Sequence, residues 1–402
     1  MPGTRTIQFN GIVGRRVRVL SVVDALRLGG AETLIAQLAR VSGEAGIQLS
    51  VLSLHGPSQE HAKLAPLLRQ SGVEPHYLGV HRTLDAPAFG RLVRFIKAAD
   101  VDIVHAHLEM AMTMSLPAAA LAGTAAVGTF HHVHRPLSGR ASGRERLALE
   151  VATRSAATIF VSQASLKSFA DRYRAGRATP SSWKVVHNGI DLDYFAPVAS
   201  ALQEPQMPAD LGVGRSRVVT ILAALRDFKG IQHAIDAWPS VLARFPDVRL
   251  LLVGSGSEEH ALRARVDELG LSDSIVFAGM RSDIPQILHA SEVVLLPSIY
   301  GENLPTVLME AGGCGRPVVA SDVGGISDIV ADDETGLLVS PGDSRGIAAA
   351  VNRLLDDPDL GQRFGQAARI RMEKLFDARS WARSLHSVYE EAIAAKSAGR
   401  VR

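Results

Sequence analysis

Two glutamates eight positions apart, Glu302 and Glu310, sit in the part of this 402-residue chain that says most about chemistry. Residues 293–297 form a short apolar run, which predicts a buried parallel strand. Residues 298–304 are polar and contain glycine, which predicts a loop. Pro305 suits the first position of a helix, where its missing N–H costs nothing, so a helix is expected over 305–312 and the next strand over 317–321. A helix mouth at the carboxyl edge of a parallel strand presents unpaired N–H groups, a natural seat for phosphate. Glu302 stands just before that seat and Glu310 about two turns beyond it. Two carboxylates would repel phosphate, which suits them to sugar hydroxyls instead. The apolar company of Glu310 (Val307, Leu308, Met309, Ala311) argues against a merely solvated side chain.

Other reactive residue types fall at the ends of apolar runs. Gly29, Gly30 and Glu32 follow the first predicted strand, where glycines let the backbone approach a ligand and open a helix toward an anion. Their spacing is not the G-x-G-x-x-G of a dinucleotide site, which argues against a dehydrogenase. His107 closes the run VDIVHAH, and His131, His132 and His134 follow AVGTF. Histidines at strand ends invite a zinc site, but no cysteine and no tightly spaced carboxylate completes a ligand set. Asp100 with Asp102, and Asp191 with Asp193, match an Asp-x-Asp metal motif in form only; one pair flanks a strand and the other follows the turn at Asn188 and Gly189. No metal and no cofactor is therefore expected. A retaining glycosidase needs two close carboxylates. A helical separation of about 12 Å along the axis makes Glu302 and Glu310 a poor pair for that.

The stretch 293–343 resembles the retaining glycosyltransferases of the GT-B fold, and within them glycosyltransferase family 4. The likeness rests on Glu302 and Glu310, then GRPVVASDVGG (315–325) and ETGLLVSPGD (334–343), in order and at family-like spacing. It implies two Rossmann-like domains facing a cleft. It also implies transfer of a sugar from a nucleotide-diphosphate sugar, of UDP- or GDP-sugar type, to an acceptor hydroxyl with retention and without a metal. Lys229 and Arg226 in AALRDFKG (223–230) would then stabilise the leaving diphosphate, helped by Gly29, Gly30 and the N–H groups near Asn303 and Leu304. The family's arginine position holds Ala224 here, so Arg226 substitutes only if its loop turns inward. Glu310 would bind the ribose and Glu302 the donor sugar. Gly254, Gly256, Gly279, Met280 and Arg281 would border the base, with Gly324 and Gly325 close to the donor. His131, two residues after Thr129, matches a family histidine near the transferred sugar and acceptor; with His107 and Glu32 it makes the acceptor side. Glu302, Lys229, Arg226 and His131 are thus the catalytic candidates. Two alternatives stay open: a sugar-nucleotide epimerase or hydrolase of the same build, and a non-catalytic sugar-nucleotide-binding protein, for which Ala224 speaks.

These residues need a scaffold. Strands are expected over 17–23, 48–54, 75–78, 103–107, 125–130, 159–161 and 184–186, with helices between them. A second alternating set runs from 218 to 321, followed by helices over 344–355, 361–374 and 378–395. Strict alternation implies an α/β chain with two doubly wound parallel sheets. The domains are placed at 1–197 (acceptor side) and 216–375 (nucleotide sugar), with a linker at 198–215 and a closing segment at 376–402. In the family that closing helix crosses back to the first domain, and the segment from Trp381 to Tyr389 matches it. Acceptor contacts would come from loops near 56–62, 79–88 and 131–146.

Composition fits a soluble protein, rich in Ala, Gly, Leu and Val with few aromatics. The single cysteine, Cys314, excludes an internal disulfide and fits a reducing, cytoplasmic setting; at a helix end before a buried strand it reads as core filler. Residues 2–20 lack the apolar core of a signal peptide. Residues 111–130 carry no charge, but Pro117 and Gly123 break them into a helix near 115–122 and a strand rather than a membrane span. Charge is uneven: residues 1–197 hold 22 Lys and Arg against 14 Asp and Glu, roughly +8, and the remainder is about −6. No aromatic platform or recognition helix accompanies the arginines, so nucleic acid is not an expected partner. The basic half suits an anionic acceptor (a sugar, lipid-linked or small molecule) or peripheral membrane contact, against the plainer reading of solvated arginines.

Overall fold

The computed structural model describes residues 16–27, 30–58, 60–80, 85–134, 139–198 and 205–399. Contacts divide the chain into two units, residues 1–189 with 378–402, and residues 190–377.

The first unit alternates without interruption: β1 (Val17–Val23), α1 (Gly30–Val41), β2 (Ile47–Ser53), α2 (Ala65–Gln70), β3 (His76–Tyr77), α3 (Ala86–Ala98), β4 (Ile103–His107), α4 (Glu109–Ala122), β5 (Ala125–Phe130), α5 (Gly139–Arg154), β6 (Ala157–Phe160), α6 (Gln163–Arg174) and β7 (Trp183–Val185). Its strands pair in parallel in the order β3-β2-β1-β4-β5-β6-β7. Successive side chains point to opposite faces. Leu20, Val22, Val104, Ala106 and Phe130 therefore pack on α3, α4 and α5. Val17, Val19, Ile103 and Val127 pack on α1 and on the chain's last helix, Ala378–Ser397. That helix buries Trp381, Leu385, Val388, Tyr389 and Ala392, a single helical face. Burying its large apolar side chains is worth about 1.5–3 kcal/mol each.

Residues 111–130 resolve into α4 and β5, and among the described residues no helix is long and apolar enough to cross a membrane. α4 starts at Glu109, six residues before the expected 115, because Asp24 at the end of β1 accepts from the Ala111 N–H at 2.7 Å and satisfies its open first turn.

The second unit comprises β8 (Arg217–Leu222), α7 (Ile231–Leu242), β9 (Val248–Val253), α8 (Glu259–Glu268), β10 (Ile275–Gly279), α9 (Ile284–Ala290), β11 (Val293–Leu296), α10 (Thr306–Gly313), β12 (Val318–Ser321), α11 (Ile326–Ile329), β13 (Gly336–Val339), α12 (Ser344–Asp356) and α13 (Pro358–Leu375), with the last helix becoming α14. Six parallel strands run in the order β10-β9-β8-β11-β12-β13. Both sheets thus reverse direction once, as the doubly wound expectation requires. Residues 190–197, assigned to the first domain from sequence, are bonded to the second unit. Ile190 N–H donates to the Phe376 carbonyl at 2.8 Å, and Arg369 Nη1 donates to the carbonyls of Leu192, Phe195 and Gly313. Leu211 and Val213, within the expected linker, are buried against Val218, Leu251 and Ile287. Cys314 is buried at the end of α10, and burial pushes its thiol up to about 12.

Candidate functional site

In the second unit, strand order reverses between β8 and β11, which pair through Val219 with Val293 and Thr220 with Val294. The crevice at the carboxyl ends of such neighbours is where open α/β sheets take ligands. After β8 the chain runs beside the end of β9 (Ala223 N–H to Val253 O, Leu225 N–H to Ser255 O, both 3.0 Å) and closes a short 3-10 turn over 227–229. Gly254 and Gly256 press on the Ala223 and Leu225 carbonyls from the other side. Gly230 ends the turn at φ +62, where a Cβ would fall 2.1 Å from the Pro297 carbonyl oxygen. No other residue fits so close to the β11 loop.

That approach delivers Lys229 to Glu302. Lys229 Nζ donates to Glu302 Oε1 at 2.6 Å, and Ser298 Oγ donates to the same oxygen at 2.5 Å. The pair is nearly buried, at 15% and 7% side-chain exposure. Removing one member of a buried ion pair costs about 3–5 kcal/mol, since the other charge is left uncompensated. Gly324 (φ +59) fixes the Glu302 backbone from behind, because a Cβ there would meet the Glu302 carbonyl at 1.8 Å. Gly325 precedes α11. Tyr300 Oη donates to Asp227 Oδ2 at 2.9 Å and ties the two loops together again.

Pro305 is the cap of α10 rather than its first residue; its backbone is extended (ψ 116) and it has no side-chain acceptor. The open N–H groups therefore begin at Thr306, while Asn303 and Leu304 lie buried in the preceding loop. The 12 Å helical separation inferred for Glu302 and Glu310 is also corrected, since Glu302 lies outside the helix. Glu310 sits in the second turn of α10. Burial pushes its carboxyl up to about 7, against the opposing effect of a Thr306 hydrogen bond. Arg226 and Ala224 are exposed, outside the buried pair. Gly279 ends β10, and Met280 after it is 79% exposed. Arg281 is held by Asp283 (2.6 and 2.9 Å) and by Asp210, which raise its affinity for the proton.

In the first unit, the reversal lies between β1 and β4 and is occupied by Asp24. Burial pushes its carboxyl up to about 7, partly offset by the Ala111 N–H, with Glu109 and Glu32 adding to the rise. Gly30 opens α1, Glu32 lies in its first turn with its carboxyl raised by burial, and Gly29 lies outside the described residues. The expected acceptor loops lie partly outside them too, at 59, 81–84 and 135–138. His107 closes β4 and His131 follows β5; their rings bond, Nδ1 to Nε2, at 3.0 Å. Next to them is a group that spacing gave no hint of. Glu145 on α5, fully buried, accepts from His132 Nε2 at 3.0 Å, His134 Nδ1 at 2.6 Å and Tyr173 Oη at 2.6 Å. Burial raises that carboxyl, and the three donors together bring it below its ordinary value. Sequence spacing offered no carboxylate to complete a ligand set with the histidines, but folding brings carboxylates to one of them: Glu109, His132 and Glu145 offer ligand atoms within 4.8 Å of one another. Asp24, Ser298 and Glu145 were the residues missed. Each is one polar residue in an ordinary loop or helix, with no local pattern to mark it.

The family model described as Glycosyltransferase Family 4 matches residues 28–194, and that described as Glycosyl transferases group 1 matches residues 204–371. The chain is 29% identical over 361 residues to a phosphatidyl-myo-inositol mannosyltransferase of Mycolicibacterium smegmatis, covering 85% of this chain and 84% of that one. It is 31% identical over 312 residues to a glycogen synthase of Mycobacterium tuberculosis, covering 74% and 70%. Among solved structures it resembles Anabaena HepE in complex with UDP, with a TM-score of 0.81 and 25% identity over 93% of this chain and 100% of that one. The same protein in complex with UDP-glucose gives 0.78 at 25% identity, covering 93% and 99%.

Proposed function

The chain belongs to the group 1, family 4 glycosyltransferases of the GT-B fold, and from that premise we propose that it moves a sugar from a nucleotide-diphosphate sugar to an acceptor hydroxyl, with retention and without a metal. The Lys229–Glu302 pair at the strand-order reversal carries this reading. An ammonium has three N–H donors, so Lys229 keeps two for phosphate oxygens while one holds Glu302. Both bonds to Glu302 fall on Oε1, which leaves Oε2 for a hydroxyl of the donor sugar. The uncapped mouth of α10, with Asn303 and Leu304 before it, adds N–H groups for the diphosphate, and Arg226 adds a second cation from its exposed loop. A Glu310 carboxyl near 7 can both accept from and donate to ribose hydroxyls. Gly254, Met280 and Arg281 border the base through backbone groups, a role compatible with the Arg281 guanidinium already being engaged. In the first unit, His131, His107 and Glu32 are the acceptor-side candidates.

In the reaction, the bond from the anomeric carbon to the phosphate oxygen breaks and a bond to the acceptor oxygen forms on the same face. The departing phosphate oxygen takes the acceptor's proton, and Lys229 stabilises its charge. The HepE complexes favour UDP-sugars as the first donors to try.

A thermal-shift series with UDP-, GDP- and ADP-sugars, followed by product analysis with and without alcohols, tests the proposal. One nucleotide series should raise the melting temperature, and its sugar should appear on an acceptor with the anomer unchanged. Hydrolysis alone, with every acceptor refused, would overturn it in favour of a hydrolase.

A further inference from the structure

α5 buries four side chains, Glu145, Ala148, Leu149 and Ala152. Three are apolar, as a helix packed on a sheet requires, and the fourth is a carboxylate with no exposure at all. Phe130, Phe160 and Phe169 belong to the same core, their ring centroids 4.6–5.6 Å apart. Taking a charge out of water into such surroundings is unfavourable unless hydrogen bonds replace the water. The donors come from two places. Tyr173 Oη reaches the carboxylate from α6 at 2.6 Å, while His132 Nε2 and His134 Nδ1 reach it from the segment just past β5, at 3.0 and 2.6 Å.

An ionised carboxylate has no hydrogen to give, and the three donors keep this one ionised against its burial. Both rings must therefore turn an N–H toward it, His132 from Nε2 and His134 from Nδ1. The sheet cannot fix this segment: β5 pairs with β4 up to Thr129 and with β6 up to Phe130, and His131 lies beyond both ladders. α6 ties down the backbone instead. Ser165 Oγ donates to the His132 carbonyl at 2.7 Å, and the His134 N–H donates to Ser168 Oγ at 3.0 Å. Glu145 ties down the side chains on either side of Val133. His131, one residue before them, bonds instead to the His107 ring.

We propose that Glu145 is a positioning residue: by holding His132 and His134 it sets the direction in which the segment past β5 presents His131 to the bound sugar or acceptor. The contact of His131 with sugar or acceptor rests on the transfer reading above; the hold on the segment does not.

The test uses the full chain and reads amide hydrogen exchange by mass spectrometry on peptides covering residues 131–134, beside initial rates with donor and acceptor varied in turn. Glu145→Gln keeps one oxygen but turns an N–H2 group at a histidine donor whichever way the amide lies. It should speed exchange over 131–134 about tenfold and lower kcat/KM for the acceptor about tenfold, with the donor KM within about twofold. Tyr173→Phe removes the donor that does not belong to the segment, and should leave exchange over 131–134 and the acceptor kcat/KM within about twofold of the wild type. Unchanged exchange in Glu145→Gln, a tenfold shift in its donor KM, or a Tyr173→Phe variant equally impaired each overturns the proposal. Long-range proton–nitrogen NMR on the wild type with labelled histidine decides even where a variant does not fold, the signals being assigned by their loss in His132→Asn and His134→Asn. His132 should carry a hydrogen on Nε2 and His134 on Nδ1, and a bare nitrogen at either place overturns the hold. If the wild type transfers no sugar from any nucleotide tried, the transfer reading falls, and the exchange and the spectrum still answer for Glu145.

Discussion

Both units reverse strand order at their fourth strand, β1 against β4 in the first and β8 against β11 in the second, yet they fill the resulting crevice in opposite ways. In the first, Asp24 turns in from the end of β1 and spends its carboxylate on the opening turn of α4, with no cation bonded to it among the described residues. The bonded histidines His107 and His131 lie one strand along, at the ends of β4 and β5. In the second, the loops after β8 and β11 put a lysine and a glutamate into the crevice itself, where Lys229 and Ser298 both donate to Glu302 Oε1. The same topology thus makes two clefts, and the loops that follow the strands decide which can receive a charged ligand.

The sharpest way to break that contrast is Lys229→Ala. Transfer should fall about 100- to 1000-fold, the loss expected when one donor to a developing charge is removed, with the far-ultraviolet circular dichroism unchanged. Near-normal turnover would make the second crevice no more special than the first. Glu310→Ala should raise the donor KM about tenfold and leave kcat nearly alone, as for a contact made equally before and during reaction. An unchanged KM would place the ribose elsewhere. Ser298→Ala should lower kcat/KM about fivefold, because Lys229 still holds Glu302 when about 1 kcal/mol of hydrogen bonding is lost. A drop as deep as that of Lys229→Ala would move the centre of the site to the serine.

The smallest effect belongs to the first crevice. Asp24 has its folded value raised from an ordinary 3.8 to about 7, so ionising it in the folded protein is unfavourable. Wild-type stability should therefore be undiminished by this group below 3.8 and decline as pH rises through about 7. Asp24→Asn keeps an acceptor for Ala111 without a charge. Its melting temperature should gain on the wild type by about 2–4 °C between pH 5 and pH 8, which differential scanning fluorimetry resolves. A difference that does not vary with pH would show that the carboxyl is charged throughout.

Legibility differed with the range of the interactions concerned. β4 and β5 have the bounds their apolar runs predict, 103–107 and 125–130, because a buried parallel strand announces itself locally. α9, α11 and β13 span seven, four and four residues, too few to show a period, and went unassigned. α4 began earlier than predicted because its cap lies 87 residues away in sequence. At the site, Lys229, Glu302 and Glu310 were each legible from neighbouring residues. Their partners were not: Ser298 is one serine in a polar loop, and Asp210 reaches Arg281 across 71 positions. Glu145 shows the same limit most plainly, since three donors from two other segments converge on a helix residue that looks solvent-facing in sequence.

The placement of α14 also bears on how the chain comes off the ribosome. The first unit's core needs Tyr389, Trp381 and Leu385, which are synthesised only after all of residues 190–377. The second unit can close on itself while the first still waits, its His105 ring lacking the phenol that will later pair with it. Nascent chains arrested before Ala378 should accordingly show a protease-resistant later segment and a labile earlier one, the reverse of the usual vectorial order.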